Sequence, residues 1–464
     1  MSQAATIHKC PQCAVLRRRI AELESRLAKL EKNSTNSSKP PSSDFVHPAA
    51  ALKKRRKKCK PGGQPGHPKH ERTPFTEQEI DRRWDYSFDR CPDCAGKLRL
   101  LKQPVSTVQQ VEIVTRPINV SEHRSRACYC ATCRKMFVAP LPREVRKTGL
   151  LGPRLTALVG YLKGACHCSF STIRKFLRDV TGVTVSRGQL RKVCGKVANS
   201  LEFSYQELLA ALPKERQLNV DETGHPENGE RLWTWCFRAT LFTLFKIDPS
   251  RKSDVLVEAL GTEFNGVLGC DYFSAYRKYM RLNKNVLVQF CLAHLIRDVK
   301  FLVGHPNVKN RTYGRRVLNT FRHLFRNIHD RGRYASEETF RKALSKRAEA
   351  LWIESTTRVP YTREAEALAK RFHDHGIEYI QFVTTPGIEP TNNLAEQAIR
   401  FVVIDRKITQ GSRSEAGRRW LERIWTTMAT CAQQGKSVFH FIDKTVRAFF
   451  QGTPCPSLLF DDTT

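Results

Sequence analysis

The sequence predicts a multidomain α/β protein, and three observations carry that reading. Short apolar runs of strand length cluster between residues 216 and 290, separated by helical stretches. Polar, helix-forming sequence without strand signals fills 305–385. Two C-x-x-C pairs bracket a separate stretch near the N-terminal side. At 464 residues the chain exceeds one ordinary domain, and a 40% hydrophobic content is enough for a core.

Charge and cysteine usage narrow the class. Lys and Arg total 79 against 45 Asp and Glu, a formal net charge of +34. Such an excess points to a polyanionic partner, with nucleic acid first, and to salt-sensitive binding. A ribosome-like or merely soluble basic protein is the plainer alternative. The chain opens on polar sequence, MSQAATIHKCPQC, and no run approaches the roughly 18 apolar residues of a membrane span. A cytoplasmic, nucleoid-associated protein with no membrane partner is therefore expected. In that setting the 16 cysteines read as metal ligands or reduced core residues.

The elements follow in order. Residues 1–32 carry a heptad, with Cys13, Leu16, Ile20, Leu23, Leu27 and Leu30 alternating in steps of three and four. That spacing makes an a/d seam for a dimerising coiled coil, or else a short amphipathic helix docked on the body. Residues 33–84 form a Pro-rich linker with a basic run, Lys53, Lys54, Arg55, Arg56, Lys57 and Lys58, suited to lie along a DNA backbone as a disordered arm. In 85–145, Cys91-x-x-Cys94 and Cys130-x-x-Cys133 flank the strand-like runs KLRLL and VQQVEIVT. Two knuckles holding one structural Zn²⁺ make a zinc ribbon; four buried thiols are the alternative. Cys10-x-x-Cys13 has no sequence partner and is a weak half-site. Residues 150–212 read as helix, Gly turn, helix, with Ser186 as N-cap. Arg187, Gln189, Arg191 and Lys192 then fall on a recognition helix of helix-turn-helix type.

From 214 to 304 come three strand-like runs in hairpin order, a helix, the run GVLGCD, a fifth strand NVLVQF and a helix CLAHLIRDVKFL. That order opens an RNase H-like α/β core. A helical insertion at 305–385 precedes the core's C-terminal helices at 386–450 and a tail at 451–464.

Three carboxylates occupy informative positions. Asp221 in QLNVDETG and Asp271 in GVLGCDYFSAY each end an apolar strand-like run, and Glu396 in PTNNLAEQAIR lies where a helix starts. Carboxylates so placed can meet and hold two Mg²⁺ ions, the arrangement used for phosphodiester cleavage. Each also has a plainer role: DETG as a turn, Asp271 as a helix cap, Glu396 within a capping box begun by Asn393. Glu389 and Asp405 are rivals for the third position, and Glu222 for the first, although Glu222 would face the other side of its strand. Arg400 and Lys407 share a face with Glu396 and suit DNA phosphates, with Leu394, Ala398, Phe401 and Val402 covering the core side.

The chain resembles bacterial DDE transposases of the insertion sequence 66 family. The resemblance rests on the heptad, NSSKPPSSD at 36–44, GGQPGH at 62–67 and the two knuckles, then VDET at 220–223, CDYFSAY at 270–276, CLAHLIRD at 291–298 and NNLAEQAIR at 392–400. It implies Asp221, Asp271 and Glu396 as the metal triad, using two Mg²⁺ or Mn²⁺. It implies cleavage and strand transfer at terminal inverted repeats, with transposon-end and target DNA as partners. The N-terminal heptad suits a homodimer or higher oligomer on that DNA, and the sequence leaves open the oligomeric state and any need for accessory proteins of the same element. It also brings in Cys291 and His294, a C-x-x-H element that organises the site or contacts DNA, or forms a buried structural pair. Gln397 departs from the Arg that relatives place after the Glu. A non-catalytic DNA-binding regulator descended from a transposase is the runner-up, and a structure-selective nuclease is a third reading. The inverted-repeat and target sequences and the element's activity lie beyond the sequence.

Overall fold

The computed structural model describes residues 11–33, 36–37, 73–97, 99, 107–115, 117–132 and 134–459. The basic arm from Lys53 to Lys58, Cys10 and Cys133 lie outside the described residues. The chain divides into two compact units, one of residues 1–48, 122–179 and 183–464, the other of 49–121 with 180–182. No described helix is long and apolar enough to cross a membrane.

In the smaller unit, the Cys91–Cys94 knuckle is closed by a bridge between Arg90 and Lys97, with Cys91 N–H donating to the Gly96 carbonyl at 2.9 Å. The strand expected at 108–115 does not form. That run is irregular, with Val108, Val111, Ile113 and Val114 all exposed. Alternation alone does not make a strand when no partner edge satisfies its backbone.

The larger unit begins with α1 (Pro11–Leu30). Its Lys29 pairs with Glu364 at 2.9 Å, and Lys32 just beyond it lies over the Phe301 ring at 4.1 Å. A small antiparallel hairpin follows, β1 (Ala127–Cys130) with β2 (Lys135–Val138). Then come α2 (Arg143–Thr148), α3 (Pro153–Gly164), α4 (Phe170–Phe176), α5 (Arg187–Ser200) and α6 (Glu202–Ala211). Pro153 starts α3, where its missing N–H costs nothing. Ser186 caps α5 by accepting from Gln189 N–H at 3.1 Å. Leu190, Val193, Cys194 and Val197 bury the inner side of α5, leaving Arg187, Arg191 and Lys192 exposed and Gln189 half-buried.

The central sheet has five strands: β3 (Gln217–Glu227), β4 (Glu230–Arg238), β5 (Thr243–Asp248), β6 (Val267–Cys270) and β7 (Leu287–Phe290). Their spatial order is β5-β4-β3-β6-β7. The first three form an antiparallel meander, and β6 and β7 add in parallel. The crossovers are α7 (Asp254–Leu260) and α8 (Ser274–Leu282). The turn between β3 and β4 is Asn228–Gly229, with φ of 48° and 89°, the left-handed pair a two-residue hairpin needs. The DETG run is therefore no turn: it lies inside β3, paired with β4 from Cys236 back to Trp233.

After β7 come α9 (Leu292–Val303), the helical stretch α10 (Val308–His329), α11 (Glu337–Thr356), α12 (Arg363–Tyr379) and α13 (Gln381–Thr384), and then α14 (Asn393–Thr409), α15 (Glu415–Gln433) and α16 (Val438–Gln451). Helix α15 closes the open edge of the sheet. The N–H groups of Thr243, Phe245 and Ile247 on β5 donate to Thr430 Oγ1 (3.2 Å), Thr426 Oγ1 (3.0 Å) and Glu422 Oε1 (2.7 Å). Four helical residues rise about 6 Å and two strand residues about 6.7 Å, so the two repeats run in step. An edge that would otherwise template aggregation is saturated by side chains.

Candidate active site

The strand register brings the two aspartates together. In the parallel pair β3–β6, Asn219 is opposite Gly269. Continuing that register two residues places Asp221 level with Asp271, which directly follows β6. Asp221 Oδ1 accepts from Glu222 N–H at 3.0 Å, and Asp271 Oδ1 accepts from Phe273 N–H at 2.8 Å. The second contact closes the turn into α8, so Asp271 shapes the helix entry as well as standing at the strand end.

Glu396 arrives on α14, which lies against β3 and β4. The anchor is Asn392, which is buried and donates through Nδ2 to the Val220 carbonyl at 2.8 Å. Its Oδ1 accepts from Asn219 Nδ2 at 3.0 Å. Gly269 is needed here, because a Cβ at that position would fall 2.5 Å from Asn219 Nδ2. The capping box expected from Asn393 is absent. Asn392 is the N-cap residue and makes no side-chain cap bond, its amide being engaged on β3. Arg406, near the other end of α14, donates to Thr223 Oγ1 at 2.8 Å and to the Gly224 carbonyl. The core side of α14 is Ala395, Ile399 and Val402, while Leu394, expected inward, is exposed. Arg400 and Lys407 are exposed.

The electrostatics mark this cluster. Burial, then Glu222, Asp271 and Glu396, push the Asp221 carboxyl well above its usual range. Burial first, then Glu222, raise Asp271 to about 7, against partial relief from Phe273 N–H and Arg251. Burial also raises Glu396, opposed by Arg297 and Arg400. Three oxygen-donor side chains sharing mutual repulsion suit hard divalent cations, which remove it on binding.

Two of the rivals are engaged elsewhere, and the third lies in an exposed loop. Arg251 holds the buried Glu222 carboxylate through Nε (2.9 Å) and Nη2 (2.7 Å), and the Tyr276 hydroxyl also donates to it. Asp405 accepts from Trp425 Nε1 at 3.0 Å and lies 2.7 Å from His167 Nδ1. Glu389 is exposed in the loop before α14.

Cys291 and His294 open α9 beside Glu396. The three ligand atoms lie within 4.8 Å of one another. His294 Nδ1 is 3.6 Å from Glu396 Oε1, and Asn392 N–H donates to Cys291 Sγ at 3.2 Å. Burial holds His294 down to about 3, with Arg297 contributing. Arg297, one turn further along α9, brings Nη2 to 3.9 Å from Glu396 Oε1. Sequence reading passed over Arg297, although its i+3 spacing from His294 was a usable signal.

The site is thus a mixed sheet with Asp221 inside β3, Asp271 just beyond the parallel β6, and Glu396 on the helix that lies against β3 and β4. The chain belongs to the IS66 family of transposases, whose model, described as "Transposase IS66 family", matches residues 148–419. Residues 4–73 match a separate family of unknown function, DUF6444. Among curated relatives, the uncharacterized protein y4qI of Sinorhizobium fredii (strain NBRC 101917 / NGR234) is 25% identical over 398 residues, covering 79% of this chain and 72% of its own. The uncharacterized protein y4jD of the same organism is 27% identical over 240 residues, 47% of this chain and 46% of its own.

Proposed function

We propose that this transposase is a DDE enzyme that binds the terminal inverted repeats of its element and catalyses metal-dependent strand cleavage and strand transfer. The observation that carries the reading is the β3–β6 register, which sets Asp221 level with Asp271 while Asn392 fixes Glu396 above them. We read the five-stranded sheet as an RNase H-like core and α10–α13 as its insertion. Asp221, Asp271 and Glu396 are the residues that would hold two Mg²⁺ or Mn²⁺. Bound there, the ions supply Lewis-acid activation of the attacking oxygen and charge neutralisation at the leaving 3′ oxygen. The chain's own part is placement. Arg251 and the Tyr276 hydroxyl hold the Glu222 side chain in place beside the cluster. Arg297 and Arg400 balance Glu396 and stand where a DNA phosphate would need cations.

Recognition of the ends falls to the exposed Arg187, Arg191 and Lys192 of α5 with Gln189, to the basic arm from Lys53 to Lys58, and to a ribbon in which Cys91, Cys94, Cys130 and Cys133 bind one Zn²⁺. Target DNA and a second copy of the chain complete the partners.

Replacing Asp221 or Glu396 by Ala tests the reading. Cleavage of a genuine element end in Mg²⁺ should fall by three orders of magnitude or more. Affinity for the end should stay within about twofold, with its salt dependence intact, because phosphate contacts elsewhere dominate it. If the wild-type protein binds its ends tightly yet never cuts or joins them with accessory proteins present, the chain is a regulator. Cleavage surviving in both variants assigns the chemistry to other carboxylates.

A further inference from the structure

We propose that Cys291, His294 and Glu396 form a second metal site, selective for a borderline-soft cation such as Zn²⁺, whose occupancy takes Glu396 away from the Mg²⁺ site and switches the enzyme off. The inference rests on the assignment of Glu396 to the catalytic triad and adds a competing use of the same carboxylate.

The geometry argues for it. His294 Nδ1 and Glu396 Oε1 are buried and neither has a hydrogen-bond partner. Their 3.6 Å separation is too long for a hydrogen bond. It is close to the roughly 3.4 Å edge between nitrogen and oxygen ligands about 2.1 Å from a tetrahedral zinc. Cys291 Sγ completes a triangle whose ligand atoms all lie within 4.8 Å, so a small side-chain rotation closes it. Among the described residues this is the only group of three such ligands so closely spaced. The Sγ already accepts from Asn392 N–H, which fixes its direction from the backbone that anchors α14.

Ligand chemistry supplies the selectivity. Asp221, Asp271 and Glu396 offer only oxygen, the donor Mg²⁺ takes. Sulfur and imidazole nitrogen favour Zn²⁺ and are poor ligands for Mg²⁺. Binding requires the Cys291 thiol to release its proton to solvent and requires Arg297, 3.9 Å from Glu396, to yield the carboxylate. Three protein ligands leave a fourth position open to water. Zn²⁺ and Mg²⁺ then compete for one side chain, although their other ligands differ.

The test counts metal on the full-length protein. Zn²⁺ is titrated with 5 mM Mg²⁺ present, bound metal is measured after equilibrium dialysis, and Co²⁺ serves as a spectroscopic probe. Wild type should bind one Zn²⁺ more than Cys291→Ser or His294→Asn. In Co²⁺ the wild-type sulfur-to-metal charge-transfer absorption should exceed that of Cys291→Ser. Two variants are used so that misfolding of one, judged by circular dichroism and melting, leaves the comparison intact. In wild type, end cleavage should fall at least tenfold over the Zn²⁺ range that fills the extra site and return when Mg²⁺ is raised. Equal zinc content in wild type and both folded variants overturns the site. An extra zinc in wild type that leaves cleavage unchanged overturns the competition. If Glu396→Gln still cleaves while the zinc difference persists, the catalytic assignment of Glu396 fails and the zinc site stands. The ribbon zinc, present or absent, is common to all these proteins and drops out of the difference.

Discussion

The carboxylate cluster and the cysteine-bracketed stretch both use residues of specific chemistry, but their surroundings are opposite. Asp221, Asp271 and Glu396 are held by elements whose other residues are core: Val220, Cys270, Ala395 and Ile399 are all buried. Among the described residues from 73 to 140, none is buried. Strands β1 and β2 bury no residue at all, and Val108 through Val114 present their apolar groups to solvent. A two-stranded ribbon without a core is marginal in water. The difference teaches where each region's order originates: packing positions the carboxylates, whereas the described residues of the cysteine-bracketed stretch have no core to position them. Attacking each source of order separately tests that contrast.

The largest effect should come from the knuckles. Structural zinc is worth on the order of 10 kcal/mol to a small module that is unfolded without it. Cys94→Ser should therefore remove one zinc and open 73–140 to proteases within minutes, leaving residues 214–450 resistant. Zinc content and cleavage pattern identical to wild type would mean that the stretch is ordered by other means.

The next effect targets packing at the site. Asn392→Ala removes two buried hydrogen bonds and leaves the Val220 carbonyl and the Asn219 amide without these partners. A cost of about 2–3 kcal/mol is expected, read as a lower urea midpoint for the sheet. Cleavage should fall more steeply than stability, since Glu396 rides on the same helix turn. An unchanged midpoint would show that α14 is held by its apolar face and Arg406 alone.

These two experiments also mark how far the sequence could be read. Strand ends and helix starts are local patterns, so the places of Asp271 after β6 and Glu396 at the start of α14 and the Ser186 cap were legible from spacing. Asp221, expected at a strand end, instead lies inside β3, because pairing with β4 carries that strand on to Glu227. Asn219, Gly269 and Asn392 form a contact between residues far apart in the chain, and no periodicity announces it. Nor does local pattern reveal that Thr426, Thr430 and Glu422 saturate the β5 edge. Of the four α14 residues expected inward, Ala398, Phe401 and Val402 do pack on the core, and only Leu394 is exposed, at the margin of the face centred on Ala395, Ile399 and Val402. The strand expected at 108–115 failed for the converse reason: its alternation was real, but a strand needs an edge to pair with.

A smaller effect follows from charge. The Asp271 carboxyl is raised from 3.8 to about 7. A folded-state value above the unfolded one means the contribution is fully present below pH 3.8 and is lost as pH rises through 7. In Mg²⁺-free buffer at pH 8, Asp271→Asn should melt higher than wild type, by on the order of 1 kcal/mol after solvent screening. The gap should close as pH falls toward 4. Adding Mg²⁺ should stabilise wild type more than the variant, because the ions relieve repulsion the variant no longer has. A variant less stable than wild type at pH 8 without metal would place Asp271 among the structural groups, through its bond to Phe273 N–H.

The smallest effect on the fold, and the one that separates folding from assembly, concerns α1. One face is docked: Ala28 packs on the core, Lys29 pairs with Glu364, and Lys32 covers Phe301. The other face carries the heptad residues Leu16, Ile20, Leu23, Leu27 and Leu30, all exposed, with Leu30 at 80%. The two readings of the heptad, docked helix and dimer seam, are therefore compatible, because they use different faces. Leu23 and Leu27 both lie on the exposed face, so charged residues there, as in Leu23→Glu with Leu27→Glu, should shift the chain's stability by less than about 0.5 kcal/mol. In a coiled coil the same pair buries charges at core positions and should abolish pairing. Sedimentation should report a lower oligomeric state at equal melting temperature, and joint capture of two DNA ends should fall with it. An unchanged mass would leave α1 with its docked face alone and move self-association to another surface. A lowered melting temperature with unchanged mass would mean that the seam packs against its own chain.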